Sequence, residues 1–476
     1  MFMHRLAILA FVAGLVGAPT VSRAETYRLA SPKDANDLSL VELTLKAAGT
    51  LTLAGQGKTR ELPMSVQARI NYEERMTSAA PGPDTAARSF RYYRQAEAAI
   101  KIDKGAQNPV LGEAHRLIAA QTKGGTNTLF CPTAPLKREE LDLIDVPAGT
   151  LAVNALLPAD RVTVGATWKH SDEVLQALLG LDAVSLTDVQ SVFGQVKDNL
   201  AEVTLAGTVH GATGGVSTQI DLKARYYYDL TLKRITRFAM LTKEKRGVGH
   251  VSPGLEVIAK LTMRISPLEE SSHLSDDALA DLSNVPSPES TRLSFESERG
   301  KFRLVYDRRW DLTSTDPTLA VMRLVDRGEL IAQCNVTPLA PVSAGKLTML
   351  PEFQEDVKKT LGKNFGQFVK VSQKSGFANV RILRVVASGE VSQLPIQWIY
   401  YLVANENGQQ TSLVFTLESS LAERFSDADR TLVSSLRFTD APETTAAKPT
   451  PATPKTAQKT RSDRTAAKPS KEISPQ

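Results

Sequence analysis

The chain holds 476 residues, 42% of them hydrophobic, with 57 Lys and Arg against 52 Asp and Glu for a formal charge of +5 at pH 7. Two cysteines and six histidines, the latter at 4, 115, 170, 210, 250 and 273, exclude Cys-pair and HExxH metal sites, because ligation needs clustered ligands. The length exceeds a single core of usual size and implies two domains.

Residues 1–24 place Arg5 ahead of the apolar run LAILAFVAGLVGA and end on Ser22, Arg23 and Ala24, the pattern of a secretory signal peptide cleaved after Ala24. Pro19 and Thr20 interrupt the run short of the ~17–25 residues that a membrane span needs. No Cys follows to accept a lipid, and no later segment reaches transmembrane length. The expected location is periplasmic or secreted.

Residues 25–268 read as a domain of long antiparallel strands. Its first motif, LAGQGKTREL, carries Gly57, Lys58 and Thr59 in the manner of a phosphate-binding loop. Such a loop needs an earlier glycine where Thr52 stands, and a following helix where an alternating strand with Pro63 stands instead. The stretch therefore reads as a hairpin turn in which Gly55 and Gly57 supply positive φ, and no nucleotide is expected. In KTRELPMSVQARINYEE, Met64, Val66, Ala68, Ile70 and Tyr72 alternate onto one face. LAEVTLAGTVHG, with Leu200, Val203, Leu205 and Val209, leads into the glycine-rich turn GATGG. A hairpin turning near Asp229 to Lys233 follows, and LEVIAKLTMRIS closes the series. SDEVLQALLGL reads as a helix capped by Ser171, with LTDVQSVFGQV as a second candidate. A curved antiparallel sheet, a half-barrel with one or two helices, satisfies both signals.

The stretch 266–290 is rich in Ser, Asp and Pro and supplies a linker at 269–288, with room for a short helix around Asp276 to Leu282. Residues 289–440 then change character. Strands FRLVY, LAVMRLV and ELIAQCNVTPL precede PEFQEDVKKTLGKNFGQF, which puts Phe353, Val357, Leu361, Phe365 and Phe368 on one helical face. Three more strands follow, two of them joined by a turn at Asn405 to Gly408. A last helix presents Leu421, Phe425, Ala428, Leu432 and Leu436. The order describes an α+β domain, an antiparallel sheet flanked by helices.

From residue 441 to 476 the chain has no aromatic residue and a single large apolar one, Ile473, so it cannot bury enough surface to order itself. This tail is net positive by about four, which leaves the folded middle close to neutral. The basic character is therefore expected in the tail and not on a folded binding face. The tail reads as a tether to a polyanion such as cell-wall polymer, anionic lipid or nucleic acid, or as a solubilising extension.

The pattern FESERGKFRLVYDRRW, the pair YYLVANENGQQTSLVFTLESS and the ending FSDADRTLVSSLRF, with Tyr306 and Trp310, resemble the PsbP-type fold. That fold is shared by an extrinsic photosystem subunit and by a nuclear import factor that binds a small GTPase. More weakly, the meander of residues 25–268 resembles the half-barrel of LolA-type lipoprotein carriers. No motif residue carries over from either family, so neither resemblance implies a site.

His170 stands beside Asp172 and Glu173, where a helix start already accounts for the acids. His210 and His250 sit beside glycines, in expected exposed turns. Ser343 and Lys346 match a Ser-x-x-Lys spacing without companion motifs. Glu73 with Glu74, and Glu139 with Glu140, read as surface acids, since chain neighbours seldom converge. Cys131 and Cys334 read as separate buried thiols in preference to a disulfide. The consecutive Tyr226, Tyr227 and Tyr228, and Tyr400 and Tyr401 after Trp398, split between inward and outward faces. No catalytic, cofactor or metal residue is assigned. The expected function is that of an exported, non-enzymatic binding or scaffold protein of the cell envelope, whose partner is a protein or an envelope polymer. The alternatives are a carrier of a lipid or other hydrophobic ligand, and a hydrolase with an unrecognised site.

Overall fold

The computed structural model describes residues 25–30, 37–55, 58–78, 85–249, 253–316, 318–326, 328–343, 346–375 and 380–439. The expected signal peptide, the tail from 441, Gly57 and His250 lie outside the described residues.

Alternation of apolar and polar residues builds long strands. Leu38–Gly55 and Lys58–Ser78 pair in register from Leu38 opposite Arg75 to Gly55 opposite Lys58. The hairpin expected at LAGQGKTREL is present, with no helix after Thr59, and its turn at 56–57 lies outside the described residues. Met64, Val66, Ala68, Ile70 and Tyr72 share one face as expected, and burial deepens along them to 2% exposure at Ile70 and 3% at Tyr72.

These strands sit inside a 13-stranded antiparallel sheet. In spatial order its centre runs Leu200–Thr213, Val216–Asp229, Arg234–Arg246, Gly254–Pro267, Leu38–Gly55, Lys58–Ser78 and Ala87–Ile102. The closing strand 254–267 thus returns to pair with the first long strand, Arg264 opposite Glu42. Helices Arg138–Ile144, Thr150–Asn154 and Asp172–Leu179 contribute Leu141, Ile144, Leu151, Val153, Leu175 and Leu178 to the same core as Val41, Leu43 and Ile70. Ser171 caps the last of them as expected, accepting from the Val174 N–H at 3.4 Å.

A seven-stranded antiparallel sheet follows, in the order Trp310–Asp316, Leu319–Asp326, Glu329–Leu339, Gln410–Glu418, Leu394–Ala404, Arg381–Val391 and Phe365–Ser375. Helix Leu350–Leu361 packs Phe353, Val357 and Leu361 on one face, against Leu383, Val385 and Trp398. The opposite face carries Tyr401, Leu413 and Phe415, and Phe415 meets Phe425 at 5.9 Å. A four-stranded sheet links the two parts, because Leu293–Ser297 runs parallel to Leu136–Lys137 and antiparallel to Phe302–Tyr306. The molecule is a β-rich α+β protein built from several antiparallel sheets.

The 269–288 segment lies against the first sheet. Leu274 is 1% exposed among Phe90, Ala119 and Phe130, and the His273 ring stacks on Tyr92 at 3.6 Å. Its helix spans Asp276–Leu279, inside the expected stretch.

Three expectations are corrected. Phe365 and Phe368 begin a strand, because Gly362, at φ 53°, ends the preceding helix before them. LTDVQSVFGQV forms strand Gln190–Lys197; its β-branched and aromatic residues at 192, 193 and 196 outweigh the helical spacing. The single closing helix divides into Ala422–Phe425 and Ala428–Ser434 at Ser426, whose φ is 52°.

Candidate functional site

Period-two alternation that buries one face of the large sheet leaves the other face polar. Register aligns that outer face in rows across the strands. One row reads Tyr227, Arg237, Arg264, Glu42, Asn71 and Gln95, each opposite the next. The following row carries Arg225, Ala239, Thr262, Thr44, Arg69 and Glu97. A third holds Lys223, Lys260 and Lys46. Arg69, Arg237 and Arg264 are exposed, and none has an ion-pair partner among the described residues. Arg225 reaches Glu202 at 3.3 Å.

Among the described residues, two adjoining cavities open on this face. One of about 470 Å³ is lined by Glu42, Arg69, Arg225, Tyr227, Arg237 and Arg264 among others. The second, about 520 Å³, shares Thr44 and Arg69 with the first and reaches Asn108 and Val110. The expectation that no folded face is basic is therefore corrected. Near-neutrality of the folded part is a sum: on this face Arg69, Arg225, Arg237, Arg264, Lys46, Lys223 and Lys260 outnumber Glu42, Glu97 and Glu202, while Glu73, Glu74 and Glu140 are buried.

The paired acids are the second correction. Glu73 and Glu74 point to opposite sides of their strand, and both sides are covered, leaving each 4% exposed. Glu73 accepts from Arg94 Nε at 2.7 Å and from the Ser271 hydroxyl. Glu74 accepts from Arg91, Ser89 and Thr150. Glu140 is held by the Gly112 and Lys137 N–H groups, and His115 Nδ1 stands 2.7 Å from it. Glu139 stays exposed, as expected.

His170 does not engage Asp172 or Glu173. Its Nε2 lies 2.8 Å from the Ser191 hydroxyl, and Ser191 is 0% exposed. The pair satisfies two polar groups in the interior. Burial lowers the imidazole to about 4, so it is neutral in the fold, while the unfolded chain takes up the proton near 6.5. Stability linked to His170 is full above about pH 6.5 and is lost as pH falls toward 4, by about 1–3 kcal/mol. His170→Gln is expected to flatten that limb when melting temperature is followed against pH, and a difference curve without slope between these values would refute it.

His210 lies within strand Leu200–Thr213 opposite Gln219, not in a turn. Ser343 and Lys346 are joined only by the Lys346 N–H to Ser343 carbonyl bond at 2.9 Å, and both are exposed. Cys131 and Cys334 are free and buried; burial pushes the Cys334 thiol up. Tyr226 and Tyr228 pack inward while Tyr227 lies on the outer face. Among the described residues no group of His, Cys, Asp and Glu could hold a metal ion, and no helix is long and apolar enough to cross a membrane.

Sequence reasoning missed the arginine rows and a second buried cluster, in which Asp429 accepts from Arg384 and Tyr401. Both depend on strand register, which joins residues far apart in the chain.

Comparison with known proteins gives a weak structural likeness. No family model and no curated protein matches. The solution structure of cyanobacterial PsbP from Synechocystis sp. PCC 6803 matches 31% of this chain and 92% of that one, at 11% identity and a TM-score of 0.25. Lipovitellin matches 50% of this chain over 26% of its own, at 7% identity and a TM-score of 0.28. A BenF-like porin from Pseudomonas fluorescens spans 80% of this chain and 99% of its own, at a TM-score of 0.12. The PsbP resemblance thus returns as a weak one, and the resemblance to LolA-type carriers gains no support.

Proposed function

We propose that this is an exported, non-enzymatic binding protein whose recognition surface is the outer face of the large sheet. The observation that carries the reading is the pair of adjoining cavities, about 470 and 520 Å³, sharing Thr44 and Arg69 on a face with unpaired arginines. Ligand sites are concave and carry a few convergent polar groups, and this face has both properties. The buried carboxylates of Glu73, Glu74, Glu140 and Asp429 are each engaged in hydrogen bonds that hold the fold, which supports a surface function.

The test is binding of the full chain, beside Arg237→Glu and Arg264→Glu, to arrays of envelope glycans, lipids and peptides. A set of ligands that both variants lose, at unchanged melting temperature, is expected. Retention of the whole set by both variants would place recognition elsewhere.

One observation favours a hydrophobic ligand as a second reading. On the inner face, Leu51 opposite Leu62, Gly49 opposite Met64 and Ala47 opposite Val66 form an apolar strip whose residues are only partly buried. Where the helices cover the same face, beside Leu43, Ile70 and Leu151, the space left is about 20 Å³, room for one water. A carrier would hold its ligand on the strip, and native mass spectrometry before and after solvent extraction reads it: a removable extra mass supports it, and a bare chain counts against it.

A further inference from the structure

We propose that the arginine-bearing face binds an extended anionic polysaccharide whose sugars carry carboxylates, a polyuronate; this rests on the reading above that the face is the recognition surface. Charge complementarity is the first argument. Arg237 and Arg264 stand opposite each other on adjacent strands, with Arg69 and Arg225 in the next row and Lys223, Lys260 and Lys46 beyond. Planar guanidinium groups match carboxylates in a two-point geometry that ammonium groups cannot offer.

Spacing is the second. Neighbouring strands lie ~4.8 Å apart and successive same-face residues about 7 Å along a strand. The cations therefore form a band over several strands, and one extended chain can meet them in succession. The two cavities share Thr44 and Arg69, so the band runs along a continuous hollow.

Glu42 and Glu97 share the rows with the more numerous cations, and the uncharged groups beside them select the class of polymer. Thr44 and Thr262, whose hydroxyls are 2.7 Å apart, together with Gln95, whose amide also donates to Glu97, offer polar partners for sugar hydroxyls. Single-stranded nucleic acid asks for several stacking rings along the groove, and the first cavity presents Tyr227 as its one outward ring. A bilayer is flat, whereas these cations line two adjoining cavities.

The experiment titrates the full chain by calorimetry with an oligogalacturonate of about ten sugars, at about 50 and 200 mM salt to read screening. A neutral malto-oligosaccharide, a single-stranded DNA oligonucleotide and phosphatidylglycerol vesicles are the comparators. Two variants accompany it: Arg69→Gln with Arg237→Gln and Arg264→Gln, and a tail variant with the seven Lys and Arg from Lys448 to Lys471 changed to Gln. The expected result is galacturonate binding that weakens with salt and drops at least about tenfold in the face variant. The tail variant keeps it within about twofold, and the neutral sugar does not bind. Absence of galacturonate binding, or equal binding of the malto-oligosaccharide, overturns the polyuronate. If the face variant then loses DNA or vesicles instead, the surface reading stands with another ligand. If it loses nothing the wild type binds, both fall.

Discussion

Replacing Glu74 by alanine is expected to cost about 3–5 kcal/mol of stability, among the largest effects of any single substitution in the chain. The carboxylate oxygen Oε1 accepts three bonds, each of 2.8 Å, from Arg91 Nε, the Ser89 hydroxyl and the Thr150 hydroxyl. Thr150 in turn accepts from Arg91 Nη2 at 3.0 Å, so the cluster is closed on itself. Arg91 is 5% exposed and lies over the Tyr72 ring, 5.0 Å from its centre. Its neighbouring charges hold the guanidinium protonated despite burial. Removing Glu74 takes from that buried cation the carboxylate it is hydrogen-bonded to and leaves Asp145 as the weaker neighbouring charge, and this outweighs the lost hydrogen bonds.

The arithmetic changes when both charges go. Glu74→Leu combined with Arg91→Met replaces the pair with apolar side chains and is expected to recover most of the loss. Denaturant midpoints of the two single variants and the double variant check it. A double variant as unstable as the sum of the singles would show that packing around Tyr72, and not the unpaired charge, sets the cost.

The same site shows where sequence reading stops. Alternation from Met64 to Tyr72 is visible in one strand, and burial in the fold follows it. Glu73 and Glu74 follow directly and read as surface acids, because covering both sides of a strand takes partners from residues 89–94, 150 and 271. Their partners lie on other elements, so local pattern cannot reveal them. The arginine rows have the same origin: Arg237, Arg264 and Glu42 become neighbours through pairings of strands that run from opposite parts of the chain. Phe365 and Phe368 failed for a local reason instead. Helical spacing continued across Gly362, and the glycine's left-handed turn ended the helix that the spacing predicted.

Asp429→Ala should cost a similar ~3–5 kcal/mol, with the damage confined to the second sheet. Asp429 is 1% exposed on helix Ala428–Ser434, and its Oδ2 accepts from the Tyr401 hydroxyl at 2.7 Å and from Arg384 Nη2 at 2.8 Å and Nε at 3.0 Å. Arg384 and Tyr401 stand opposite each other on adjacent strands, so one carboxylate ties the closing helix to two strands at once. Alanine would leave the Arg384 cation, whose side chain is 13% exposed, with the neutral Tyr401 hydroxyl as its partner in place of the carboxylate. Leu432 and Val433, with the flanking Ala428 and Leu436, would then hold the helix. Amide exchange is therefore expected to rise first in residues 428–434 and to stay unchanged in the large sheet. Tyr401→Phe, which removes one hydroxyl and no charge, should cost only about 1–2 kcal/mol and leave that exchange protected. Equal losses from the two substitutions would contradict the ionic account and assign the clamp to the aromatic ring, which packs on Phe415 at 5.9 Å.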